Sequence, residues 1–241
     1  MKNIYDKLKE QALALCRQED LLQEHITVKA RTLSTEEAIG NPEDKDFPLQ
    51  KGNERLMQAE FRGACGQAFT DRFGDFEGSL EAIFSMPLEN NFRRAVFVAS
   101  LNAVMRSLGR IEATVHCRDE EPKTCAGALV NHIRNTYGSV NITQAGFQPR
   151  MLEALAPVFS LRVLDLDQEN IGTDKFGITV EGPSRTAEAV AWADVLLVTG
   201  TVLVNGTIDV FLTGKPVVFY GTTIAGAAAL MGWERFCDQS T

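Results

Sequence analysis

Three groups of residues in this chain have the types and spacing to do chemistry. The first is His116, Cys117 and Asp119, with Cys125 and His132 further on. Imidazole, thiolate and carboxylate are the donors that hold zinc and other transition metals. The spacing matches no standard zinc pattern. With the segment from Thr124 to Asn135 read as a helix, Cys125 and His132 share a face two turns apart, about 10.5 Å along the axis. One ion does not span that distance. A metal site would therefore draw on His116, Cys117, Asp119 and Cys125, with His132 secondary. The plain alternative is that Cys125 packs as a small hydrophobe and His116 sits on a solvated linker.

The second group is a set of turns that close apolar segments. They contain Gly146, Asp165, Thr199-Gly200-Thr201 and Gly221-Thr222-Thr223. Glycine lets a backbone come close to a ligand. Hydroxyls and free amides at helix starts suit anionic groups. Asp165 follows Gly146 by 19 residues, near the spacing of the ribose-binding acid in dinucleotide folds. The stretch GFQPRM has one glycine where the fingerprint needs three, so a nicotinamide or flavin cofactor is not expected. Singly, each turn reads as a turn. Four of them on one sheet edge read as the lining of a shared pocket. The third group surrounds Cys65, between Gly63 and Gly66. A cysteine in a tight bend is a nucleophile when a base lies beside it. The sequence offers no such base, so a structural cysteine is favoured; Cys65 and Gly66 stand as candidate lining of the same pocket.

The elements that position these groups follow from hydrophobic spacing. Ile4–Leu22 repeats at helical period, and His25–Leu33 alternates as a strand. Asn41–Lys51 holds Pro42 and Pro48 and reads as a loop. Arg55–Phe69 is extended and broken by Gly63 and Gly66. Ser79–Phe84 is a short helix. Asn91–Leu108 is a strong one, with Phe92, Ala95, Val96, Ala99, Ala103 and Val104 on one side, ending at Gly109. Glu112–Lys123 is polar, contains Pro122 and marks a boundary; Thr124 then caps a helix. Beyond it strands alternate with helices. Asn141–Ala145, Arg162–Asp167, Val195–Thr199 and Val217–Tyr220 are strands. Pro149–Phe159, Thr186–Ala193, Val204–Leu212 and Ile224–Met231 are helices. Apolar strands alternating with amphipathic helices make a parallel sheet covered on both faces, an α/β fold. Ligands of such sheets bind at the carboxyl ends of the strands.

Composition bounds the rest. The net charge is −8, which weighs against a nucleic-acid surface. Five cysteines are an odd number in a chain of 241 residues, so a disulfide framework is not expected. The most apolar stretch, Pro216–Trp233, splits into a strand, a turn and a small-residue helix, so no membrane span is read and the cytoplasm is the expected compartment. The small residues Ala225–Ala229 could seat a second copy, which makes a homodimer an expectation.

Two stretches carry a resemblance: LVTGTVLVNGTIDVFLTGKPVVFYGTT over Leu197–Thr223 and FVASLNAV over Phe97–Val104. Together they resemble a prokaryotic family labelled "putative heavy-metal chelation". The resemblance implies an enolase N-terminal-like α+β subdomain over residues 1–115. A Rossmann-like α/β domain follows over residues 116–241, with residues 116–138 as linker and helix. It also implies a site in the cleft between the two parts. Residue by residue it points to Asn102 on one side, and to Thr199, Gly200, Asn205, Gly206 and Thr207 on the other. The family's next strand usually ends in Val-Gly-Pro; here it reads Tyr220-Gly221-Thr222. Three functions stay open: a binder or chelator of a transition metal or its complex; an enzyme acting on a small anionic or nucleotide-like molecule, with S-adenosylmethionine or a nucleotide; and an interaction domain without chemistry.

Overall fold

The computed structural model describes residues 3–29, 55–117 and 121–241. Helix α1 (Ile4–Gln18) starts where the Asn3 side chain accepts from the Asp6 amide at 2.9 Å, a side-chain N-cap. It buries Ile4, Leu8, Ala12 and Leu15. Strand β1 (His25–Lys29) pairs antiparallel with β2 (Arg55–Phe61) and with β4 (Phe76–Ser79). The remainder of the expected His25–Leu33 strand and the Asn41–Lys51 loop lie outside the described residues. Strands β2 and β3 (Ala64–Thr70) form a hairpin whose turn residues Arg62 and Gly63 have φ of 51° and 79°. Two left-handed residues match the twist of the flanking strands.

Gly66 is not the break its sequence suggests; it lies inside β3. A Cβ there would sit 2.2 Å from the Ala103 amide nitrogen and 2.4 Å from the Ala99 carbonyl oxygen. The missing side chain lets helix α3 (Asn91–Ser107) lie directly on β2 and β3. Helix α2 (Leu80–Ser85), capped by Ser79, closes the end of this four-stranded sheet, whose order is β3-β2-β1-β4.

Helix α3 departs from the one-sided reading. Every residue from Ala95 to Met105 is buried. One side meets the antiparallel sheet, and the other is covered by α7 (Thr201–Asn205) and α8 (Ala225–Met231). The helix contains Val96, Val98 and Val104, which cost at most about 0.7 kcal/mol each in helix propensity. Full burial of such side chains contributes roughly 1.5–3 kcal/mol each, so packing decides.

Helix α4 (Glu121–Tyr137) begins before the expected Thr124 cap. Pro122, read above as a boundary, occupies its first turn, where a missing N–H costs nothing. Then come β5 (Asn141–Ala145), α5 (Pro149–Leu155) and β6 (Ser160–Leu164), followed by the short pair β7 (Asp174–Lys175) and β8 (Ile178–Glu181). Helix α6 (Thr186–Trp192), β9 (Val195–Thr199), α7, β10 (Val217–Tyr220), α8 and β11 (Glu234–Phe236) complete the chain. The expected helix Val204–Leu212 is displaced. Helix α7 starts at Thr201 and stops at Gly206, φ 77°, and only Ile208–Val210 forms a 3-10 turn after it.

The second sheet has the order β11-β10-β9-β5-β6-β8-β7 and is parallel except for β7. Ala145, Leu196, Val198 and Phe219 join the core that holds α6, α7 and α8, while Ile142, Val163, Leu197, Val218 and Tyr220 join the one under α4 and α5. The first of these cores is continuous with that of the antiparallel sheet, running from Leu8 and Ile26 through Phe97 to Phe219. The Tyr5 hydroxyl on α1 reinforces this connection by donating to the Leu203 carbonyl at 2.7 Å. Among the described residues no helix is long and apolar enough to cross a membrane.

Candidate functional site

The chain leaves β5 toward β6 and β8, then returns to the opposite side of β5 as β9. The strand order reverses between β5 and β9, and the carboxyl ends there form the crevice where such sheets bind ligands. Gly146, Thr199, Gly200, Thr201 and Gly221 all reach this edge. The crevice is closed by Tyr220. Its hydroxyl donates to the Gly146 carbonyl at 2.7 Å and to the Ala145 carbonyl at 3.1 Å. Gly146 has φ 91°, and a Cβ on it would lie 2.7 Å from Thr199 Cγ2 and 2.9 Å from the Tyr220 oxygen.

Asp165 reaches the same edge, where its carboxylate is already engaged. Oδ2 accepts from the Phe147 amide and Oδ1 from the Asp167 amide, both at 2.7 Å. Burial pushes its carboxyl up from the usual aspartate value, and those two amides oppose the shift. The 19-residue spacing from Gly146 therefore reflects a side chain that fastens the turn after β5. Gln144, fully buried on β5, donates to the Gly146 carbonyl at 3.0 Å, and its Oε1 has no protein partner.

Asn205 ends α7, and Gly206 and Thr207 follow it, away from this edge. Gly206 is the left-handed cap, and the Thr207 amide bonds back to the Val202 carbonyl at 2.9 Å. The Arg94 guanidinium packs against them, donating to the Val204 carbonyl at 2.6 Å. These residues carry the resemblance in sequence and anchor α3 in space.

Asn102 and Gly66 meet Thr222 and Thr223 at the joint between the two sheets. Asn102 is fully buried. Its Nδ2 donates to the carbonyls of Gln67, Thr222 and Thr223 at 2.9, 3.1 and 3.2 Å, and its Oδ1 accepts from the Gly226 amide at 2.7 Å. The Phe69 amide donates to Thr223 Oγ1 at 3.1 Å. The cleft implied by the resemblance is, at these residues, a packed and internally bonded seam.

The thiols lie beside the edge. Strand β11 runs parallel to β10 with Phe236 opposite Tyr220, so residue 237 emerges next to Gly221. Arg235 donates to the carbonyls of Gly221 and Ala113. Ala113 has a left-handed φ of 58°, a conformation that costs a non-glycine residue about 1–3 kcal/mol and is held here by that contact. The segment then crosses β3. The Gln67 amide donates to the Thr114 carbonyl at 3.1 Å, and the His116 amide to Gln67 Oε1 at 2.8 Å. Val115 and Thr241 exchange backbone hydrogen bonds of 2.8 and 3.2 Å. This path delivers Cys117 to the start of α4, one turn of which carries Cys125.

Burial pushes the Cys117 thiol up to about 12, and the neighbouring Cys237, Cys125 and Glu121 add to the shift. Burial raises Cys125 as well, against hydrogen bonds from the backbone of Asp238 and Gln239. At neutral pH both are thiols, protonated until something displaces the proton. His116 turns its Nδ1 to the Cys117 carbonyl at 2.5 Å and its ring edge to Phe69, centroids 5.2 Å apart. His132 is remote from the group. It pairs with Glu234 at 2.8 Å and packs on Phe236. Asp119 lies outside the described residues. Among the described residues no three His, Cys, Asp or Glu side chains form a ready ligand set for one ion.

Cys65 stands apart on β3. Its sulfur accepts from Gln58 Nε2 at 3.5 Å, and burial followed by Glu60 raises its pKa, the opposite of an activated nucleophile. Cys16 is a core residue of α1, pushed up to about 11 by burial. Sequence reasoning missed strand β11, which sets Cys237 at the sheet edge. The signal was present: a Gly232 stop after α8 followed by Trp-Glu-Arg-Phe-Cys continues the strand–helix alternation, and would have set Cys237 at the carboxyl end of one more strand.

Residues 130–230 match the family described as "putative heavy-metal chelation", DUF364. A protein of unknown function from the same family, from Pyrococcus horikoshii, has a similar structure. Its TM-score is 0.57 at 16% identity, over 92% of this chain and 80% of that one. A second family member of unknown function, from Desulfitobacterium hafniense, aligns at a TM-score of 0.48 and 13% identity, over 73% and 72%. No curated protein matches the chain.

Proposed function

We propose that this protein binds a transition or heavy metal, as the ion or a small complex, at the carboxyl edge of its parallel sheet, with Cys117 and Cys125 as donors. One observation carries the reading. Two thiols from different elements, a linker that crosses the antiparallel sheet and the first turns of α4, lie near enough for Cys125 to add to the raised Cys117 pKa, on the side of the sheet where the strands end. The description of the matched family points the same way.

The chemistry of the donors fits. Thiolates are soft ligands and select soft cations over Mg²⁺ or Ca²⁺, which require oxygen cages. Burial holds the Cys125 thiol above its usual value, so metal binding must displace its proton. The ligands are neighbours and not a closed set, so binding draws them together and displaces their protons.

Protein purified without chelator from metal-replete cells is expected to hold about one equivalent of a thiophilic metal by elemental analysis. The Cys117→Ser/Cys125→Ser double variant is expected to lose it. Full occupancy in that variant would sink the reading.

A further inference from the structure

We infer that residues 237–241 are a strap over the first turns of α4, hinged at the end of β11 and latched at Thr241, which opens without unfolding the chain and gates access to Cys125. The inference concerns access alone and holds with or without a metal.

The path of the strap follows from register. Helix α4 leads into β5, so it runs against the parallel strands, with its first turn at their carboxyl ends. Strand β11 lies along it in the opposite sense. Glu234 bonds His132 and Tyr137, and Phe236 rests its ring on His132 at 5.2 Å. Cys125 precedes His132 on the same helix by two turns, about 10.5 Å closer to the carboxyl edge. At roughly 3.3 Å per extended residue, the chain leaving Phe236 covers that distance by residue 239. It then ends on the linker before α4. Thr241 and Val115 exchange backbone hydrogen bonds of 2.8 and 3.2 Å, and Arg106 on α3 donates to the Thr241 carbonyl at 2.8 Å. The segment therefore crosses the first turns of α4, and Cys125, 5% exposed, lies beneath it.

Both supports of the strap are fixed. Strand β11 is held on one face by α4 and on the other by Arg235, which donates to the Gly221 carbonyl at 2.9 Å and to the Ala113 carbonyl. The linker is held by Thr114, which is fully buried, accepts from the Gln67 amide at 3.1 Å and donates to the Cys65 carbonyl at 2.6 Å. The span between the supports is different. No residue from 237 to 241 belongs to either apolar core. Side chains of the span bond within it, Cys237 to Ser240 at 2.9 Å and Gln239 to Asp238 at 2.7 Å. A segment without apolar anchorage, tied by a few hydrogen bonds near the surface, opens far more often than the cores beside it. Breaking the bonds of Thr241 frees the strap while β11 and the linker keep their own contacts.

The test is alkylation of the full chain by iodoacetamide, without added metal, with each cysteine followed by peptide mass spectrometry. Cys16, in the core of α1, reports global unfolding. In the wild type Cys125 should react faster than Cys16. Thr241→Pro removes the N–H that bonds Val115 and should speed Cys125 by roughly five- to tenfold. Deletion of residues 238–241 should speed it further, with Cys16 unchanged in both. Faster labelling of Cys16 in the deletion would mark a folding defect, and Thr241→Pro then decides alone. Equal rates for Cys125 and Cys16 in the wild type would overturn the strap, because Cys125 would then open only with the whole chain. So would a Cys125 rate that neither variant changes. Either result leaves the metal reading where it stands, since no metal enters the experiment.

Discussion

The Asn102 amide contacts four backbone groups, its two N–H shared among three carbonyls and its oxygen accepting one N–H. Three carbonyls and one N–H from β3, the turn after β10 and the start of α8 depend on it. A buried donor or acceptor left without a partner costs about 1–3 kcal/mol. Asn102→Ala strips all four at once while the surrounding backbone is too tightly packed to admit water freely. The expected loss is about 2–4 kcal/mol in urea unfolding, with no effect on metal stoichiometry. A change below half a kcal/mol would contradict the structural role. The resemblance singled out Asn102 and pointed it at a ligand. Its partners stand 35 to 124 positions away, and no local pattern in FVASLNAV reports such distances. The position of Cys237 was not legible either, because only the register of β11 on β10 sets it at the sheet edge.

At the scale of elements, legibility followed burial. Val195–Thr199 and Val217–Tyr220 are apolar on both faces and read as strands at their observed limits. Strands β7 and β8 are short and half exposed, with Asp174-Lys175 and Ile178–Glu181 offering little apolar signal. Strand β8 is held by its ladder to β6 and the buried Val180, and an ion network adds to these. Arg162 on β6 forks onto Glu181 at 2.7 Å, with Arg185 and Glu188 joining the network. Arg162 holds the Glu181 carboxyl below the usual glutamate value. A depressed carboxylate contributes stability above its unfolded pKa, and that contribution is lost as pH falls through the folded one. The wild type should therefore lose stability on acidification below about pH 4.5, and Glu181→Gln should lose less over the same window. Urea midpoints at pH 7 and in that acid range read the difference; parallel declines would remove Glu181 from the account.

The whole molecule is knit by its first core. The residues that line the antiparallel sheet, α3 and the α6–α8 face of the parallel sheet belong to one apolar cluster. Two parts that share a core unfold together. The fluorescence of Trp233, which packs on Phe219 at 5.2 Å, and the far-ultraviolet signal of all helices should follow one urea transition. Two separated transitions would mean that the halves are independent. Of the small residues expected to seat a second copy, Ala225–Ala229, those from Ala225 to Ala228 are buried within the chain, where α8 packs on α3, and Ala229 is exposed.

The bond from Tyr5 to Leu203 has a consequence in time. Its partners are 198 positions apart, and ribosomes add roughly 5–20 residues per second. The Tyr5 hydroxyl therefore waits roughly 10–40 s, at those rates, for its acceptor. The apolar stripe of Leu8, Ala12 and Leu15 has an earlier partner in α2, which shares its core, so α1 is held first by the antiparallel sheet's own unit and locked to the second sheet last.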